Sequence, residues 1–117
     1  MEDLTNWPKK SGKYTIVQME IDRTPCVRFS GYGHSSTIQM AARELQREFP
    51  VSQDFGGHDS PALESDWYKV LGAGMAEVDI EQKSAFFFGR SFGYGIGISK
   101  KHLEDMKSIH SEWEIKF

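Results

Sequence analysis

The chain reads as a single α+β domain, a mixed sheet of about six strands with two main helices packed on it. Three observations carry that expectation. Two segments, residues 35–49 and 100–109, repeat apolar side chains at helical spacing. The other apolar stretches alternate with a period of two, or are short and bounded by glycine, proline and Asx residues. A length of 117 residues, 38% hydrophobic and 26% charged, suits one compact core.

Residues 1–11 are polar, carry Pro8-Lys9-Lys10, and are expected to form a loose arm. Residues 13–21 alternate, with Val17, Met19 and Ile21 on one face and Gln18 and Glu20 on the other, a strand with one buried face. Asp22-Arg23-Thr24-Pro25 is a turn, and residues 26–29 are a second short strand. Ser30-Gly31-Tyr32-Gly33 is a loop that delivers His34. In the first helix Ile38, Ala41, Ala42, Leu45 and Phe49 share a stripe, Ser36 and Gln39 have capping-box spacing, and Pro50 is the stop. Residues 51–66 are a polar surface loop with Gly56-Gly57 and Pro61. Residues 67–71 form a strand, and residues 75–80 and 84–89 form a hairpin around Glu81-Gln82-Lys83. Ser99 caps the second helix, whose inner stripe is Leu103, Met106 and Ile109. Trp113, Ile115 and Phe117 alternate with charged residues in a closing strand. No repeat or linker interrupts the chain, so residues 1–117 make one domain.

A net charge of −3 argues against a nucleic-acid partner, which calls for a concentrated basic face. Cys26 is the only cysteine, so neither an internal disulfide nor a cysteine-based zinc site can form, and a reducing compartment fits. No apolar run approaches the ~18 residues of a membrane span. Met1-Glu2-Asp3 is acidic where a signal peptide is basic. A cytoplasmic, monomeric protein is expected, without membrane partner. No two of the four histidines have the i, i+4 spacing of a helical metal site, so neither metal nor cofactor is expected.

The densest motif is Phe86-Phe87-Phe88-Gly89-Arg90-Ser91-Phe92-Gly93-Tyr94-Gly95-Ile96-Gly97, an aromatic run that reads as a buried strand and breaks into alternating glycines before a helix. Strand, glycine turn and helix N-terminus together can build an anion site, because glycine lets backbone N–H groups approach a ligand. No Gly-Lys-Ser/Thr follows, so it is not a Walker loop. The glycines at 93, 95 and 97 do not have the dinucleotide spacing. The same turn is equally explained by backbone that needs positive φ between a core strand and a helix. Arg90 and Ser91 lie in the turn itself. Gly-Arg-Ser-Phe-Gly matches a nucleophile elbow in letters, but that elbow needs a large α/β-hydrolase sheet, so Ser91 is read as a phosphate contact. His34, between a glycine-bearing loop and a helix start, suits a base, a nucleophile or a phosphate donor, or is an exposed loop histidine. Lys13 alone is a solvated charge at a strand end; His58 is solvated, and His102 and His110 belong to the second helix.

Leu71-Gly72-Ala73-Gly74, then Phe88-Gly89-Arg90-Ser91-Phe92-Gly93-Tyr94-Gly95 before a helix and a closing Trp113-Glu114-Ile115, resembles the Janus/Ocnus family of small phosphohistidine phosphatases. That family has Leu-Gly-Gly-Gly, a short hairpin, and Tyr-Gly-Tyr-Ser-Met-Ala-Tyr-Gly before a helix and a final strand. The match covers residues 67–117 well. Lys13-Tyr14 and His34 match more loosely. Arg90 stands where the family has tyrosine, and Ser99 where it has histidine. The resemblance implies a metal-independent phosphatase acting on a phosphoramidate, above all protein phosphohistidine. His34 would be general base or nucleophile, Ser91, Phe92 and Gly93 would hold the phosphoryl oxygens, and Lys13 would add charge; Arg90, from its place in the turn itself, is a further candidate contact to substrate. A non-catalytic module that binds phosphate or phosphoprotein, and a protein-interaction domain, are the alternatives.

Overall fold

The computed structural model describes residues 4–117. Its elements run β1 (Gly12–Ile21), β2 (Thr24–Ser30), α1 (His34–Leu45), β3 (Val51–Gln53), β4 (Asp59–Pro61), β5 (Tyr68–Asp79), β6 (Ser84–Phe88), β7 (Arg90–Ser91), β8 (Ile96–Gly97), α2 (Lys100–Ile109) and β9 (Glu114–Lys116). The class is α+β, as the alternating segments predict. The main sheet has five strands rather than about six, in the order β2-β1-β5-β6-β9, mixed because only β6 and β9 are parallel. The remaining strands pair in two small ribbons, β3–β4 and β7–β8.

β1 lies between β2 and β5, and both of its faces are covered. Ile16 joins Val27, Phe29, Ala76, Val78 and Phe87 under Leu103 and Met106 of α2. Val17, Met19 and Ile21 pack on the opposite face with Cys26, Tyr68 and Ile38 of α1. One buried face was the expectation; helices on both sides of the sheet bury the other as well, Gln18 included. Within the aromatic run only Phe87 is fully buried, and Phe86 stays 44% exposed, since β6 lies one strand from the sheet edge.

Local chemistry sets most element ends. Asp22 and Arg23 alone connect β1 to β2, with φ of 50° and 67°, the left-handed pair that matches the twist of a two-residue hairpin. Thr24 and Pro25, expected in the turn, already belong to β2. α1 stops at Leu45, because Gln46 turns left-handed (φ 56°) and closes the helix with its own N–H, well before Pro50. The capping box at Ser36 and Gln39 does not form; Gly33 is the N-cap and no side chain caps the helix. α2 has the expected bounds, and the Ser99 hydroxyl accepts the His102 N–H. Ile109 is 43% exposed, and buried His110 takes its place inside.

Two stretches expected to be irregular are ordered. The arm is held from Leu4 to Trp7 along β2: Val27 N–H donates to Thr5 Oγ1, Phe29 N–H to Asn6 Oδ1, and Asn6 Nδ2 to the Phe29 carbonyl. These bonds cover the sheet edge that β2 would otherwise expose. Trp7 stacks on Trp113 at 4.0 Å. The polar loop folds partly into the β3–β4 hairpin. The expected break at residues 72–74 is absent, because β5 runs through it as one strand of 12 residues.

Buried Gln18 has a specific task. Its Oε1 accepts the Ser99 N–H at 2.8 Å, and its Nε2 donates to the Ser99 carbonyl at 2.9 Å and to His102 Nδ1 at 3.1 Å. His102 Nδ1 is therefore the acceptor, and Nε2–H donates to the Met19 carbonyl. The network fits only the neutral imidazole. Burial pushes the His102 pKa below 6.5, against the opposing pull of the Met19 carbonyl, Asp105 and Glu20. The unfolded chain takes up this proton at the ordinary value, so stability is fully present above pH 6.5 and is lost as pH falls through the folded-state pKa. Denaturant midpoints measured from about pH 7.5 down to pH 5.5 should fall, and His102→Gln should lose most of that slope. An equal slope in both proteins would assign the pH dependence to other groups.

Among the described residues, no helix is long and apolar enough to cross a membrane.

Candidate functional site

His34 is the first residue of α1. The chain enters through a braced loop: Tyr32 N–H donates to Ser30 Oγ at 3.1 Å, and the Ser30 and Thr37 hydroxyls meet at 2.7 Å. Thr37 sends both its N–H and its hydroxyl to the Gly33 carbonyl. No side chain caps the helix, so the N–H groups of its first turn face outward and carry the positive end of the helix dipole. His34 Nε2 lies 2.9 Å from the Gly74 carbonyl oxygen. A carbonyl only accepts, so Nε2 carries a proton, and in the neutral ring the lone pair is on Nδ1. Gly74 sits one residue beyond Met75↔Phe88, where the β5–β6 ladder ends.

The glycine turn is built from the ribbon of β7 and β8. Gly95 N–H donates to the Ser91 carbonyl at 2.8 Å, and Tyr94 N–H donates to Ser91 Oγ at 3.2 Å. Ser91 is 2% exposed, so the side chain expected to contact phosphate instead closes the turn from inside. The N–H groups of Phe92 and Gly93 meet no acceptor among the described residues. They remain as two backbone donors. The Phe92 ring stands in solvent, with the Arg90 guanidinium 5.8 Å from its centroid. Left-handed backbone occurs at Gly89 and Gly95 (φ 80° and 70°), not at Gly93. At Gly95 a side chain would also strike the Phe55 ring, whose Cζ is 2.6 Å from a Cβ placed there.

Tyr94 ties this turn to the helix. Its hydroxyl donates to the Pro61 carbonyl at 2.7 Å and has Ser35 and Ser60 as further polar neighbours. Burial raises the phenol above its ordinary pKa, with nearby Asp54 adding to the effect. The β3–β4 hairpin closes over the other side, where Phe55 N–H donates to the Gly93 carbonyl at 2.9 Å. Asp54 Oδ1 accepts the N–H groups of Gly56 and His58, both at 2.9 Å, and Oδ2 accepts the Ser60 hydroxyl at 3.3 Å. The hydrogen bond from the His58 N–H leads in holding this carboxyl below its ordinary pKa, and the Gly56 N–H assists. Sequence reasoning passed over Asp54 and Phe55. The available signal was Asp54-Phe55-Gly56-Gly57, a turn sequence between two short polar segments.

Lys13 is exposed near the start of β1, opposite Glu77 and 5.5 Å from the centre of the Phe88 ring. Strand alternation puts Lys13, Thr15 and Val17 on one face, the face on which α1 packs. The structure thus gathers His34, Lys13 and the 91–95 turn on one side of the sheet. It leaves His58 in solvent and buries His102 and His110 elsewhere. Among the described residues, no group of three or more His, Cys, Asp or Glu side chains could hold a metal ion.

Compared with known proteins, the chain matches no family model and no curated protein.

Proposed function

We propose that the chain is a metal-independent phosphatase that hydrolyses a phosphoramidate, phosphohistidine in a protein above all, in the manner of the Janus/Ocnus family that its sequence resembles. The orientation of His34 carries this reading. Its Nε2–H is fixed on the Gly74 carbonyl, which leaves Nδ1 basic at an uncapped helix N-terminus. The phosphoryl oxygens would lie against the first N–H groups of α1 and those of Phe92 and Gly93, with Lys13 and Arg90 supplying charge. Phosphoryl transfer asks mainly for positioning and charge stabilisation, and preorganised backbone donors supply both. His34 Nδ1 either takes a proton from the attacking water or accepts the phosphoryl group itself. A cytoplasmic setting, with a phosphorylated protein as substrate and a monomeric enzyme, fits the single buried cysteine.

The deciding experiment is phosphate release from a phosphohistidine peptide by the purified chain, with and without chelator. Turnover that survives chelator is expected. Binding of phosphate without turnover would make the chain a recognition module. Loss of turnover in chelator, restored by a divalent ion, would replace this mechanism by a metal-assisted one.

Lys13→Ala should weaken inorganic phosphate binding by about 1–2 kcal/mol, the scale of one charge-assisted hydrogen bond. Lys13 is exposed and its side chain lies over the Phe88 ring, so the fold should be unaffected. Calorimetric titration reads the affinity, and an unchanged value would place Lys13 outside the site.

A further inference from the structure

Apart from that site, we infer that the seam between the N-terminal arm, β2 and α1 binds a small carboxylic acid with an apolar tail. A cavity of about 280 Å³ lies there, lined by Asn6 of the arm, Arg28 and Phe29 of β2, and Met40, Arg43 and Glu44 of α1. That volume stands at the lower end of small-molecule sites, which run from roughly 300 to 1,000 Å³. The buried cation of the cavity is Arg28, only 3% exposed. A guanidinium so deep normally has its N–H groups answered. Here Nη1 donates to the Leu4 carbonyl at 2.6 Å and Nη2 to the Glu44 carboxylate, whereas Nε, also buried, meets no acceptor among the described residues.

Nε–H and Nη2–H are the parallel pair that a carboxylate takes with its two oxygens. Glu44 answers only one of them. Its side chain is 60% exposed on α1, so in leaving Arg28 it passes into water. An entering carboxylate then takes both N–H groups, and Arg28 is never left as an unpaired buried charge. Arg43, exposed beside Glu44, adds attraction for an anion at the same cavity. The uncharged polar groups of the wall are already committed. The Asn6 amide holds the Phe29 backbone, and the Thr37 hydroxyl donates to the Gly33 carbonyl. The rest of the wall, Phe29 and Met40, is apolar and favours a hydrocarbon tail, which an inorganic anion lacks. A ligand seated here joins the arm to α1 and so stabilises the folded chain.

The probe is hexanoate, titrated into the full chain by calorimetry in excess inorganic phosphate, which keeps the proposed phosphoryl site occupied. Hexanoate should bind saturably and raise the thermal midpoint. Hexanol, a tail of the same length without the charge, should do neither. Glu44→Gln keeps an oxygen for Nη2 but removes the competing charge, so it should tighten hexanoate about tenfold, the scale of one charge-assisted hydrogen bond. Arg28→Met should abolish binding. If that variant does not fold, Arg43→Ala, a change at an exposed position, should still weaken binding several-fold. Absence of saturable binding in both the wild type and Glu44→Gln overturns the inference. So does an affinity that neither Glu44→Gln nor Arg43→Ala alters, or one that hexanol matches. The phosphatase reading is decided separately, by turnover, and stands or falls whatever hexanoate does.

Discussion

Replacing His34 by alanine is expected to lower phosphoramidate turnover by about 10²–10⁴-fold, the usual contribution of a positioned acid–base group. Within the proposed site, His34 Nδ1 is the basic atom at the uncapped start of α1. The fold should survive. His34 is only partly buried, and its described hydrogen bond is the one to the Gly74 carbonyl, so a loss of about 1 kcal/mol is the expected cost. His34→Gln separates position from basicity, because its amide can still donate toward Gly74 from the place of Nε2 but offers no base. Both variants should therefore be folded by circular dichroism and nearly inactive in a phosphate-release assay. Activity retained by His34→Gln would make the residue an orienting group, and activity retained by both would remove it from the mechanism.

Much of the fold was legible because its signals are local. The Ser99 cap and the apolar spacing of Leu103 and Met106 define α2 without reference to anything else. The hairpin at Glu81-Gln82-Lys83 is fixed by two alternating segments that flank a polar turn. What stayed hidden depends on contacts far apart in sequence. Gln18 alternates like an exposed residue, and only its bonds to Ser99 and His102, more than 80 positions away, explain its burial. Thr5 and Asn6 look like arm residues until the edge of β2 lies beside them. The candidate site shows the same division. His34 was legible because a glycine loop leads into a helix there. The inward turn of Ser91 and the approach of Asp54 were not, since each depends on how the ribbon and the hairpin pack together.

Gly74→Ala is expected to be the most disruptive single-methyl change. Gly74 is in extended backbone within β5, so conformational freedom is not the reason for glycine here. Space is. A Cβ at this position would fall on the Phe88 carbonyl oxygen, 2.8 Å from Ile98 Cγ2 and 3.2 Å from the Gly89 carbonyl carbon. Two of these neighbours are backbone, held by the last rung of the β5–β6 ladder and by the left-handed turn at Gly89 (φ 80°). They can give way only if β6 separates from β5, so the cost should reach about 3 kcal/mol, the upper range for overpacking. Gly93→Ala is the control within the same site: its Cβ would meet nothing nearer than Asp54 Oδ2 at 3.6 Å, an ordinary contact. It should stay within about 0.5 kcal/mol of the wild type. The two variants should thus separate clearly in denaturant midpoint. Whatever fraction of Gly74→Ala remains folded should also lose turnover, because the carbonyl that orients His34 is carried by the displaced residue. Equal midpoints for the two variants would mean that β6 does not approach β5 this closely, and the fixed orientation of His34 would lose its structural basis.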